Sequence, residues 1–185
     1  MRYLRILPAA LLLGAAPAQY YEIVGEQSIV FARVAFFGLA SKTARFPAVS
    51  GGITLDRSKP ENIDLTVKLD AAALTAPDAV TLGRLKGPRF FDVANYPVIL
   101  FRGSRLQMVS ETVARVPGQL TARGITRPAV LRVRFDDPPQ RADRTRPLAI
   151  NGDTTIDRRD FGMTAYPLIV GRKVTITIRA VMVPA

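Results

Sequence analysis

Residues 118–133 read GQLTARGITRPAVLRV. Val116 to Ala122 alternates apolar and polar residues. Gly124 can supply a left-handed turn backbone, and Pro128 removes a donor just before the next run. From Ala129, Leu131, Val133 and Phe135 alternate with Val130, Arg132 and Arg134. Period-two alternation on both sides of a turn predicts a β-hairpin with one buried and one wet face. Its strands are expected at Val113–Thr121 and Ala129–Phe135, in an antiparallel sheet.

The same period recurs outward in both directions. Ser28–Phe36 places Val30, Ala32, Val34 and Phe36 on one face, opposite Arg33. Gly38 then punctuates the chain, and Ser41–Arg45 is polar. Gly51-Gly52 precedes a short strand at Ile53–Leu55, and a turn containing Pro60 is expected at Arg57–Asn62. Ile63, Leu65, Val67 and Leu69 alternate with Asp64, Thr66, Lys68 and Asp70, which helical spacing does not fit. Val98–Phe101 puts Ile99 and Phe101 on one face. Leu148–Ile156 returns to strand, where Gly152 weakens the run or marks a bulge. Lys173–Val183 closes the chain with Val174, Ile176 and Ile178 facing one way.

Two stretches break the pattern. Pro77–Gly87 carries Val80, Leu82 and Leu85 near helical spacing, and Gly87-Pro88 stops it. A short helical or turn segment follows at Arg89–Ala94, where Phe90 and Phe91 would plug one end of the sheet structure or touch a ligand there. Asp136–Arg146 (DDPPQRADRTR) reads as a proline-rich, charged loop. The fold class is therefore all-β: an antiparallel barrel of about eight strands with a short helical insert near one end. Such a barrel is just wide enough to be filled by side chains or to hold one small ligand, and alternation leaves that choice open.

The wording of four segments is more specific than their pattern. GQLTARGITRPAVL, RFFDVANYPVILF (89–101), IDRRDFGM (156–163) and VGRKVTITI (170–178) stand in order and spacing. Together they resemble the signature of the YceI-like family of bacterial exported lipid-binding proteins, over nearly all of Tyr20–Ala180. The resemblance implies a lipocalin-like barrel whose tunnel holds a polyisoprenoid, such as an isoprenoid quinone or polyprenyl lipid, or a similar amphiphile. It also marks departures. The family often carries histidines where Gln27 and Phe36 stand here, and usually an acidic residue near Leu82.

At the N-terminus, Arg2 and Arg5 precede an apolar run, Ile6–Ala15, and Ala16-Pro17-Ala18 has the form of a signal-peptidase site. Residues 1–18 are expected to be a cleaved secretory signal, too short to span a bilayer, which takes about 20 apolar residues. Residues 19–185 would then form one domain in the periplasm or outside the cell. Without cysteine the chain has no disulfide, thiol chemistry or lipobox. Its formal charge of +11 is spread along the chain. That fits a wet outer surface with a weak attraction to anionic membrane, rather than nucleic-acid binding.

Histidine is absent as well, so Ser-His-Asp and cysteine nucleophiles and ordinary zinc sites are excluded. No P-loop or dinucleotide fingerprint occurs. Asp157 and Asp160 read as turn caps paired with Arg158 or Arg159 rather than as a metal or acid–base pair, and Asp136-Asp137 as a solvated turn. No cofactor, metal or catalytic residue is expected, and the leading reading is a binding protein. The expected tunnel wall is Val30, Val34, Phe36, Ile53, Leu55, Leu65, Val67, Leu82, Leu85, Phe90, Phe91, Ile99, Phe101, Leu131, Val133, Ile150 and Ile176. No charged residue falls in that set. The alternatives are a filled barrel acting as a stress-associated interaction scaffold, and an enzyme using only carboxylates or an oxygen-bound metal. Oligomeric state stays open, with a homodimer as one option.

Overall fold

The computed structural model describes residues 18–56, 59, 61–141 and 145–185. Residues 1–17, nearly all of the expected secretory signal, and parts of the 57–62 turn and 136–146 loop lie outside the described residues. Among the described residues, eleven strand segments run β1 (Gln19–Ile23), β2 (Ile29–Phe36), β3 (Ala40–Phe46), β4 (Val49–Leu55), β5 (Asn62–Asp70), β6 (Val98–Arg105), β7 (Gln107–Met108), β8 (Val113–Ala122), β9 (Ile125–Phe135), β10 (Leu148–Asp157) and β11 (Val170–Pro184). An α-helix, α1 (Ala79–Lys86), lies in the insertion between β5 and β6.

All pairings are antiparallel, and they close on themselves. One edge of β11 pairs with β2 over Val170–Arg179 and with β1 over Met182–Pro184. β1 and β2 therefore act as one bent stave, and so do β3 and β4. Eleven segments make a closed eight-stave barrel.

The central hairpin forms with a tighter turn than its residues suggested. Ala122 pairs with Ile125, leaving only Arg123 and Gly124 in the turn, at φ of +51° and +70°. Positive φ at both positions is the turn whose twist matches a hairpin. Consequently β9 starts at Ile125, not Ala129, and Pro128 lies inside a strand opposite Gln119. Proline is tolerated because β10 pairs only with Arg132–Phe135, so this half of β9 has one open edge. Pro117 sits similarly, between the stretches of β8 held by β6 and by β7.

Two other expectations are corrected, and one polar stretch gains an assignment. Ser41–Lys42-Thr43-Ala44-Arg45 belongs to β3, paired with β2 from Phe46 to Ala40; its polar residues hid an alternation in which only Ala44 and Phe46 are buried. Gly51 and Gly52 lie within β4, not before it. Gly152 makes no bulge: it pairs in register with both Val133 and Ile178. The predicted helix forms at Ala79–Lys86, where Asp78 accepts a 2.7 Å bond from the Thr81 N–H. That bond satisfies one of the helix's free first-turn donors. Residues 89–94 form turns.

The ladder is complete at one end of the barrel and open at the other. β9 and β10 share only four register pairs, so Ile125–Leu131 and Thr154–Asp157 separate. Segment 158–163 lies across that gap, and Arg123 donates to the carbonyls of Gly162 and, at 2.7 Å, Pro88. β3 and β5 also separate, and the insertion covers them. Arg45 exchanges backbone bonds with Thr75, and Ala71 donates to Pro97.

Candidate functional site

The inward faces of the staves split by depth. Toward the closed end, Tyr21, Ile53, Leu65, Val116, Val133 and Met182 are all at most 6% exposed. Each such side chain gains roughly 1.5–3 kcal/mol from leaving water. Toward the open end, the same rows reach a cavity of about 130 Å³.

Phe101 marks the divide. Its ring lies over Gly118 and Gly103, where added β-carbons would stand 2.6 Å and 3.4 Å from it. Any larger residue at Gly118 would displace the ring that forms the cavity floor. Leu131, across the barrel, lines the same floor.

Of the expected wall, Val30, Val34, Val67, Leu85, Phe90, Phe91, Ile99, Phe101, Leu131 and Ile176 border this cavity. The others lie elsewhere. Ile53, Leu55, Leu65 and Val133 are packed into the closed end, and Ile150 lies against that core. Leu82 packs on the core from α1 without reaching the cavity. Phe36 lies at the end of β2, edge-on to Phe37 at 4.7 Å, with Lys42 Nζ 5.5 Å from its ring centre. Alternation assigns a face; it carries no information on depth along the barrel, which register decides.

Several wall residues were missed. Ala32, Leu69, Leu120, Ala122, Ile156 and Ile178 share the faces already identified, and the row itself is their signal. Ala44 and Phe46 come from the overlooked β3. Met163 turns inward from the segment closing the β9–β10 gap, which no period marks, and Val170 from the first position of β11. Phe46 meets Phe91 edge-on at 5.5 Å, and Phe90 stacks on Tyr166 at 6.2 Å. The insertion thus roofs the cavity with aromatic rings.

Two charged residues also border it, contrary to the expected wall. Lys42 turns its ammonium to Asp78 at 3.1 Å. Arg158 is 2% exposed, and its guanidinium donates to the backbone carbonyls of Met163, Gly171 and Val170, the last two at 2.9 Å. Burial pulls its pKa below the ordinary arginine value. Both cationic ends are satisfied by protein groups, which leaves a lining that is aliphatic and aromatic apart from Thr43 and Thr154.

Asp157 is a cap, as expected, but its ion partner differs. It accepts from the Arg159 N–H at 3.0 Å and pairs with Arg172, not Arg158 or Arg159, at 2.8 Å. The backbone bond first, then Arg172, holds its carboxyl below the usual range. Among the described residues, no group of three or more carboxylate, His or Cys side chains gathers.

A closed antiparallel barrel, solid at one end and holding an apolar cavity under a helical insert at the other, is the build of a barrel binding protein. The chain belongs to the YceI-like domain family, whose model matches residues 21–182. A UPF0312 protein of Pseudomonas savastanoi is 29% identical over 157 residues, covering 84% of this chain and 82% of the relative. The crystal structure of Burkholderia cenocepacia BcnA superposes with a TM-score of 0.75 at 20% identity, over 86% of this chain and 98% of that one. A polyisoprenoid binding domain from Saccharophagus degradans, implicated in plant cell wall breakdown, superposes at 0.70 with 15% identity, over 89% and 98%.

Proposed function

We propose that the protein is exported and carries or sequesters an apolar isoprenoid chain, with the tail in the open-end cavity and the headgroup outside. The observation behind this reading is the cavity itself: a lining whose two charged ends are already satisfied by protein groups. An ionised or strongly polar group in its depth would lose its water without a partner, at a cost on the order of 1–3 kcal/mol. A hydrocarbon gains instead, by roughly 25 cal/mol per Å² removed from water. The polyisoprenoid-binding neighbour supports the ligand class, and the N-terminal Arg2–Ala18 pattern supports export to the periplasm. The YceI-like family match and the polyisoprenoid-binding neighbour support action by binding rather than by catalysis.

At about 130 Å³, the cavity matches a benzene-sized guest. It takes the terminal unit of a tail as it stands. A longer tail displaces the roof of Leu85, Phe90 and Phe91, which belong to the insertion rather than to a stave.

A titration with a long-tailed isoprenoid quinone tests this, with circular dichroism as the control for folding. Wild type should bind, Val67→Trp should fill the cavity and lose affinity, and Arg132→Gln on the outer face should leave it unchanged. Equal binding by a folded Val67→Trp variant, or none by wild type, would favour the filled-barrel scaffold.

A further inference from the structure

The open end also carries bare apolar surface. Phe37 and Leu39, at the tip of the β2–β3 hairpin, are 64% and 100% exposed, and Leu168 is 96% exposed. Phe37 donates to the Ile169 carbonyl at 2.8 Å, so the hairpin and the 164–169 loop stand side by side. Tyr166 caps the inner side of that loop by stacking on Phe90. Among the other large exposed apolar residues, Val80 stands alone on α1, and Val109 and Val130 lie on a separate turn and strand and are less exposed. Isolated apolar residues on a surface are ordinary; a cluster on two joined loops at one end is a contact site.

We propose that Phe37, Leu39 and Leu168 dip into the surface of an anionic lipid bilayer and hold the cavity mouth against it. The inference rests on the apolar-ligand reading, which it deepens by naming where the ligand is collected. Three features select a membrane. The loops project as tips and can enter between headgroups. They adjoin the cavity edge at Val34, Lys42 and Val170, so a tail can pass from bilayer to barrel with little exposure to water. Without Arg2 and Arg5, which leave with the expected signal, the chain carries 24 of its 26 basic residues against 15 acidic ones, and basic side chains beside an anionic surface add attraction.

The chain has no tryptophan, so a single one reports without background. Leu39→Trp emission should shift to the blue on adding vesicles of phosphatidylethanolamine with phosphatidylglycerol, less at high salt, and be quenched by brominated lipid. Val130→Trp, on the barrel wall, should not respond. Changing Phe37, Leu39 and Leu168 together to Ser should lower vesicle partition at least about tenfold. Their exposure keeps the fold out of the comparison. No Leu39→Trp shift with any vesicle overturns the proposal, as does an equal shift at Val130→Trp. A shift on concentrating the protein without vesicles, with a doubled mass in solution, makes the tip a contact between two copies and also overturns it. The quinone titration is done without vesicles. Quinone binding without docking defeats this inference alone, and docking without quinone binding defeats the carrier reading.

Discussion

Leu65 and Val67 stand two residues apart on the same face of β5, and nothing in their local sequence separates them. Leu65 is 6% exposed, wedged among the residues of the closed end. Val67 is only half-buried and borders the cavity. Other staves tell the same story. Val133 is packed where Leu131 meets the void, and Met182 is packed where Ile176 and Ile178 meet it. One inward row thus does two jobs. Where the ladder is complete, side chains from facing staves touch and fill the interior. Where β9 leaves β10 and β3 leaves β5, the staves spread, and their side chains no longer meet across the barrel.

The sharpest way to break this contrast is a matched pair of truncations. Leu65→Ala should cost about 2–5 kcal/mol, because the closed end cannot collapse around the hole. Val67→Ala should cost well under half of that, since its side chain already borders empty space. Urea midpoints of the two variants measure the difference; equal costs would mean both ends are packed alike.

Arg158→Met sharpens the account of the open end. Removing the guanidinium orphans the carbonyls of Met163, Val170 and Gly171. The expected loss is about 2–3 kcal/mol, with faster amide exchange in segment 163–171 than in β5. Gly124→Val tests the hairpin that leads into the same end. A β-branched residue at φ +70° is strained, and its β-carbon would stand 2.7 Å from the Tyr96 ring. The expected loss is roughly 1–2 kcal/mol in urea melts, and a neutral variant would show that the turn relaxes freely.

The smallest effect is a pH dependence confined to the roof. The Thr81 backbone N–H, then its hydroxyl, then Lys42 hold Asp78 down at about 2, against 3.8 for a free aspartate. A depressed carboxyl supports the fold above the unfolded value and loses that support as pH falls through the folded one. The support is therefore complete above about pH 4 and gone below about pH 2. Amides of α1 should open in that window before those of β8 and β9, and Asp78→Ala should show faster opening already at pH 7.

Much of the barrel was legible in the chain. The rows Ile63–Leu69, Leu131–Phe135 and Val174–Ile178 dictate strands, because only a two-residue period gathers those apolar groups on one face. Asp78 and Gly87 bracket the helix for equally local reasons. β3 was not legible, since its polar residues face outward and only Ala44 and Phe46 betray a face. Likewise, the start of β9 depended on Arg123 accepting a left-handed backbone, which residue identity does not disclose.

The site divides along the same line. By themselves, the residues determined which side chains face inward and that no histidine or cysteine chemistry takes place. Only the tertiary structure decided which inward residues meet a cavity, because depth comes from register between strands distant in sequence. It also decided that Lys42 and Arg158 could border an apolar space, since their charges are met by Asp78 and by three carbonyls. Alternation is a property of one strand; a cavity is a property of eight staves and of where their hydrogen bonds stop.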